Sequence, residues 1–207
     1  MEFGPEIRDG LDQLFRWRRD VRHFQGTPVP PGLINDLLAQ ADTAPSVGLS
    51  QPWRWIRVVD PNRRARVTGN FQAANAEALA ACADDRRQVY AKLKLSGLED
   101  APEHLAVFCD EATTRGGGLG TRTMPETRRY SCVCAIFQFW LAARAHGLGV
   151  GWVSILDPLR LTEDLDVPKD WHFIAYLCLG YPQEAHDDPE LERAGWETRR
   201  TIPPLIR

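Results

Sequence analysis

The sequence predicts one domain over residues 1–207 in which helices and strands are interleaved around a mixed central sheet, an α/β or α+β class. Two further observations support this: a chain of 207 residues buries a sizeable core without a metal or disulfide framework, and neither internal repeats nor an obvious linker divide it.

Ile7, Leu11, Leu14 and Phe15 recur at helical spacing and predict a first helix over about residues 6–17, ending in an arginine cluster. A second helix begins near Pro30 and Pro31, whose fixed φ suits a first turn, and buries Leu33, Ile34, Leu37, Leu38 and Ala41. The loop APSVGLSQP follows, then a strand from Trp53 to Val59 and one or two helices between about Arg63 and Lys94. His104 to Cys109 is a short apolar strand. TTRGGGLGTRTMP, with four glycines and no periodicity, reads as a mobile loop. From Pro125 to about His146 runs a helix that is apolar nearly all round, a central core helix or a subunit interface, stopped by Gly147. Val150–Ile155 and Phe173–Leu179 are buried strands separated by a short helix after Pro158. The polar, proline-bearing tail from Pro182 is long enough to wrap over a partner.

A net charge of -3 and a pI near 6.0 argue against nucleic acid or an anionic membrane as the main partner, so any anion site must be local. No apolar run approaches the roughly 20 residues of a membrane helix, and MEFGPEIRDG lacks the features of a signal peptide, so a cytoplasmic location is expected. Cys82, Cys109, Cys132, Cys134 and Cys178 form no CxxC pair and read as reduced thiols, mostly in apolar segments. The histidines show no ligand spacing, and no metal is expected.

The sharpest local feature is RWRRDVR, where Arg16, Arg18, Arg19 and Arg22 surround Asp20. Planar guanidinium forks match phosphate oxygens, so a phosphorylated small molecule is one reading; a basic helix end that merely complements the macrodipole is the other. Asp20 is either a structural partner of these arginines or a positioned base. Ser46, Gly48, Ser50 and Gln51 supply hydroxyls, an amide and free backbone N–H groups, which suit the polar edge of a heterocycle or an ordinary capped turn. GGGLG lacks the Lys-Ser or Lys-Thr of a triphosphate loop, and GLGVG at 147–151 follows a helix rather than preceding one, so it reads as a tight turn.

Taken together, RRDVRHF at 18–24, APSVGLSQPW at 44–53, TMPET at 123–127, LAARAHGLGVGWVSILDP at 141–158 and ELERAGWETR in the tail closely resemble the 5,6-dimethylbenzimidazole synthases, the BluB family. The resemblance covers nearly the whole chain. It implies a nitroreductase-like α+β FMN-binding fold, with a mixed central sheet flanked by helices, forming a homodimer that exchanges terminal segments and shares two FMN sites. It further implies that reduced FMN is a substrate, converted with dioxygen to 5,6-dimethylbenzimidazole, the lower ligand of vitamin B12 (cobalamin), and erythrose 4-phosphate, with a separate flavin reductase supplying the reduced FMN.

By position, the resemblance assigns Arg18, Arg19, Asp20, Val21, Arg22 and Arg199 to the phosphate and ribityl region, Asp20 and Ser154 to catalysis, and Ser154, Ser46, Gly48, Ser50 and Gln51 to the isoalloxazine. Gly120, Arg122, Thr123 and Met124 would belong to a lid that excludes water. The chain departs from the wider pattern at Leu49, where many nitroreductases carry asparagine, and at Thr121, where arginine is expected directly after Gly120. Trp53, Met124 and Trp152 are bulky enough to fill a second-substrate site if they face the ring. Two other functions remain open: an FMN-dependent NAD(P)H oxidoreductase that retains its flavin, and a non-catalytic flavin carrier.

Overall fold

The computed structural model describes residues 1–93 and 96–205. Helix α1 (Pro5–Trp17) and helix α2 (Pro31–Ala41) each start with proline in the first turn, and strand β1 (Trp53–Arg57) follows the strained 47–51 loop. The stretch expected to hold one or two helices contains two, α3 (Pro61–Ala81) and α4 (Asp84–Lys92), and a short α5 (Gly97–Asp100) precedes β2 (Glu103–Asp110). The remaining elements are α6 (Thr127–Ala145), β3 (Gly149–Val153), α7 (Pro158–Leu165), β4 (Trp171–Gly180) and α8 (Glu190–Arg193).

Two Asp-Pro pairs set helix starts: Asp60 accepts from the Asn62 N–H, and Asp157 from the N–H groups of Leu159 and Arg160, in each case capping donors that the helix leaves free. The buried Asn70 side chain bonds both the N–H and the carbonyl of Asp157, tying α3 to the start of α7.

The sheet has the order β1-β2-β4-β3, and every pairing among these strands is antiparallel. The sequence led us to expect a mixed sheet. Among the described residues, parallel pairing is confined to an isolated bridge between Asp20 and Val150, where the segment after α1 lies along β3. The two central strands are apolar on both faces, so helices must cover both. Ile34, Leu37, Ile136, Phe139 and Ala143 from α2 and α6 pack with Leu105, Val107, Ala175 and Leu177 on one face. Val67 and Leu161 from α3 and α7 pack with Ala106, Phe108 and Tyr176 on the other.

Helix α6 is indeed the central core helix, with Cys132, Ala135, Ile136 and Phe139 inaccessible, yet Tyr130, Val133 and Phe137 on its other side are exposed. Helix α1 buries none of its residues, and its apolar positions Ile7, Leu11 and Phe15 stand open. The periodicity of α1 therefore marks a stripe that its own chain leaves uncovered. All five cysteines are free thiols, and no helix is long and apolar enough to cross a membrane among the described residues.

Candidate functional site

The chain leaves α1 as an extended segment, residues 18–24, pressed against β3. The Val21 N–H donates to the Val150 carbonyl at 3.1 Å, and Phe24 bridges antiparallel to Pro182. This approach needs glycine on β3: a Cβ at Gly151 would lie 2.2 Å from the Val21 carbonyl oxygen, and one at Gly149 would lie 2.6 Å from Val21 Cγ2. The motif GLGVG is thus a tight turn at Gly147, whose φ is 77°, followed by a strip that accepts a second backbone.

Once seated there, Asp20 aims its carboxylate at the next residues of the strand. Oδ1 accepts from the Trp152 backbone N–H at 2.9 Å, and Oδ2 lies 3.6 Å from Arg22 Nε. Although 39% of its side-chain surface opens to a cleft, the carboxyl sits deep in the protein. Burial pushes its pKa above the ordinary carboxylate value, with the Trp152 N–H and Arg22 pulling the other way.

The arginines divide their work. Arg18 lies over the Trp140 ring at 5.1 Å and the Phe137 ring at 5.8 Å. Arg19 is anchored in the tail, donating through Nε and Nη2 to the Asp187 carbonyl at 3.1 and 2.5 Å. Arg16, outside this group, pairs with the Asp187 carboxylate at 2.5 Å. Arg18, Arg19, Asp20, Arg22, Glu190 and Arg199 line a pocket of about 150 Å³. A larger pocket of about 380 Å³ adjoins it, shares Arg19, Asp20, Arg22 and Glu190, and adds Trp17 and Trp140.

Burial lowers the pKa of both Arg18 and Arg19, and the like charge of Arg199 lowers both further. Cations crowded in this way fit an anion, whose charge would offset their repulsion and whose oxygens suit guanidinium forks. The small pocket therefore suits a phosphate group. Among the described residues, no group of three His, Cys, Asp or Glu side chains is arranged to hold a metal ion.

A second set of the expected residues assembles elsewhere. Residues 47–51 run through positive φ at Gly48 (57°), Leu49 (55°) and Gln51 (44°), a conformation that costs L residues energy and persists only where its surroundings enforce it. The Ser46 hydroxyl accepts from the Gln51 N–H, Gln51 Oε1 accepts from Arg115, and the buried Ser50 Oγ has no hydrogen-bond partner among the described residues. The segment expected as a lid folds as turns against this loop: a Cβ on Gly116 would meet the Gly48 carbonyl at 2.6 Å, and one on Gly120 would meet Val47 Cγ2 at 2.8 Å. Thr121 is buried, while Arg122, Thr123 and Met124 sit at or near the surface.

None of these residues lines the arginine pockets. Ser154 does not either; it is exposed just beyond β3, two residues past the N–H that holds Asp20. Of the bulky residues expected near a ring, Trp53 is core, with its indole N–H bonded to Asp42 at 2.7 Å, and Trp152 packs beside Trp140. Sequence reasoning missed the Trp152 N–H, which carries no side-chain signature, and Glu190, whose only trace was its place within ELERAGWETR.

Residues 15–181 match the model of the nitroreductase family, and the chain belongs to that family. Within it, the chain is 59% identical over 205 residues to the 5,6-dimethylbenzimidazole synthase of Rhodospirillum rubrum, covering 99% of this chain and 97% of the relative. It is 48% identical over 197 residues to a 5,6-dimethylbenzimidazole synthase of Rhodobacter capsulatus, with 95% of each chain covered. The fold also matches the structure of an oxidised iodotyrosine deiodinase bound to FMN and 3-iodo-L-tyrosine, with a TM-score of 0.74 at 20% identity, over 95% of this chain and 97% of the other.

Proposed function

We propose that this chain is a 5,6-dimethylbenzimidazole synthase, an oxidoreductase that takes reduced FMN and dioxygen as substrates and releases the benzimidazole and erythrose 4-phosphate. The observation that carries this reading is the Asp20 carboxyl, held by the Trp152 N–H and raised in pKa by burial, at the edge of a phosphate-sized pocket lined by Arg18, Arg19, Arg22 and Arg199. Reduced FMN would supply the electrons for dioxygen and the ring atoms of the product. Arg18, Arg22 and Arg199 would hold its phosphate, with Arg19 fixing the tail that carries Arg199. Asp20, buried and uncoupled from any tight ion pair, would take up and return a proton beside the ribityl chain, and Ser154 would orient the ring further along β3.

The 46–51 loop and its 120–124 cover have no contact with this pocket in one chain. They would complete the site in a homodimer, one subunit giving the arginines and its partner the loop. The exposed apolar side chains of α1 and α6, Ile7, Leu11, Phe15, Val133 and Phe137, support such an assembly, because a monomer rarely leaves a stripe of this kind open. A separate flavin reductase would supply the reduced FMN.

The test is to mix the protein with excess chemically reduced FMN in air and analyse the products by mass spectrometry. The benzimidazole and the tetrose phosphate are expected. Intact FMN alone would overturn the proposal; NAD(P)H-driven turnover with intact FMN would then make the chain a conventional oxidoreductase, and stoichiometric retention a carrier.

A further inference from the structure

We infer that Glu190, in the C-terminal tail, is a positioning residue for Asp20: it shares the Arg22 guanidinium with Asp20 and stops that guanidinium from closing onto it. This inference rests on the proposed function only for the consequence in turnover.

Arg22 is largely buried, its side chain 12% exposed, and its Nε lies 3.6 Å from Asp20 Oδ2 and 3.7 Å from Glu190 Oε2. Both distances exceed the roughly 2.7–2.9 Å of a charge-assisted bond, so neither carboxylate holds the cation tightly. The same protein shows what an unopposed pair does: Arg57 and Glu103 close to 2.7 and 2.6 Å through Nε and Nη2. The difference at Arg22 is the second carboxylate on the same nitrogen. Glu190 reaches it from α8, which starts after Pro189 and lines both pockets.

Facing Asp20 are Arg18 and Arg22 from its own segment, the Trp152 N–H of β3, Glu190 of α8, Cys178 of β4 and, across the small pocket, Arg199. Among the described residues, only the Trp152 N–H makes a short bond to it. Without the Glu190 charge, nothing on α8 would draw Arg22 away, and its fork would pair with Asp20 as Arg57 pairs with Glu103. A carboxylate locked in such a pair stays ionised to lower pH.

The test uses the full-length, flavin-free protein labelled with ¹³C at aspartate carboxyls, with the Asp20 resonance assigned by its absence in Asp20→Asn. The Asp20 midpoint is expected to fall by about one pH unit or more in Glu190→Gln and to return toward the wild-type value in Glu190→Asp, which restores the charge. An unmoved midpoint in Glu190→Gln overturns the inference. In turnover, the pH limb governed by Asp20 should shift the same way; a raised KM with that limb unmoved would instead make Glu190 a ligand-binding group and overturn the positioning role. Should the wild type form no benzimidazole, the proposed function fails, and the flavin-free titration still decides the role of Glu190.

Discussion

Replacing Gly151 by alanine tests how the site is built. The new Cβ would stand 2.2 Å from the Val21 carbonyl oxygen, where ordinary contact begins near 3.4 Å, so the 18–24 segment or β3 must move by at least about 1 Å. Backbone cannot yield as a side-chain end can. Two interactions span that seam, the Val21 N–H to Val150 bond at 3.1 Å and the Trp152 N–H to Asp20 bond at 2.9 Å. A neutral hydrogen bond contributes roughly 0.5–1.5 kcal/mol and a charged one roughly 1.5–3, so losing both costs about 2–4 kcal/mol. For a protein of this length, that lowers Tm by roughly 5–15 °C. The displacement also spreads Arg18, Asp20 and Arg22, so affinity for FMN, followed by fluorescence titration, should fall at least about tenfold, or 1.4 kcal/mol. A variant that melts within about 2 °C of wild type and binds FMN normally would refute the claim that glycine at 151 seats the arginine segment.

Gly10 gives the opposite expectation: it lies inside α1 with open space around its Cβ position, so Gly10→Ala should stabilise the protein by about 0.5–1 kcal/mol in chemical denaturation, through helix propensity alone. Asp20→Asn should keep the bond from Trp152 and bind FMN yet form no benzimidazole in the air-oxidation assay. Because burial raises the Asp20 carboxyl in the folded state, its contribution to stability is complete below about pH 4, the ordinary carboxylate range, and is lost as pH rises through the folded-state value. Thermal melts across pH should therefore show Asp20→Asn gaining on the wild type with rising pH; a growing deficit would contradict the raised value. Arg199→Ala removes a cation from the small pocket without touching the core, so it should weaken FMN binding about tenfold while leaving riboflavin, which has no phosphate, unchanged.

Much of this was legible in the sequence because local chemistry and long-range structure agree. Most of the element order followed from periodicity, Pro31 and Pro158 marked helix starts, and Gly147 marked a stop. The arginine group with Asp20 was visible as a charge anomaly on an acidic chain, and Arg199 joins it in space although 177 positions separate it from Arg22. What stayed hidden depends on distant pieces of backbone meeting. Nothing in the residues foretold an antiparallel sheet, since strand pairing is settled by packing rather than composition. The Trp152 N–H became a ligand for Asp20 only because two glycines let another segment approach. Ser46, Gly48, Ser50 and Gln51 were expected around the same ligand as the arginines, yet one chain keeps the two groups apart.

The arginine pocket joins segments far apart in sequence, with Arg18, Arg19 and Arg22 from one and Asp187, Glu190 and Arg199 from the other. A chain emerging from the ribosome therefore exposes its arginines long before the tail that braces them has been made. The pocket is complete only once residues 187–199 have been made and have folded back onto the arginine segment.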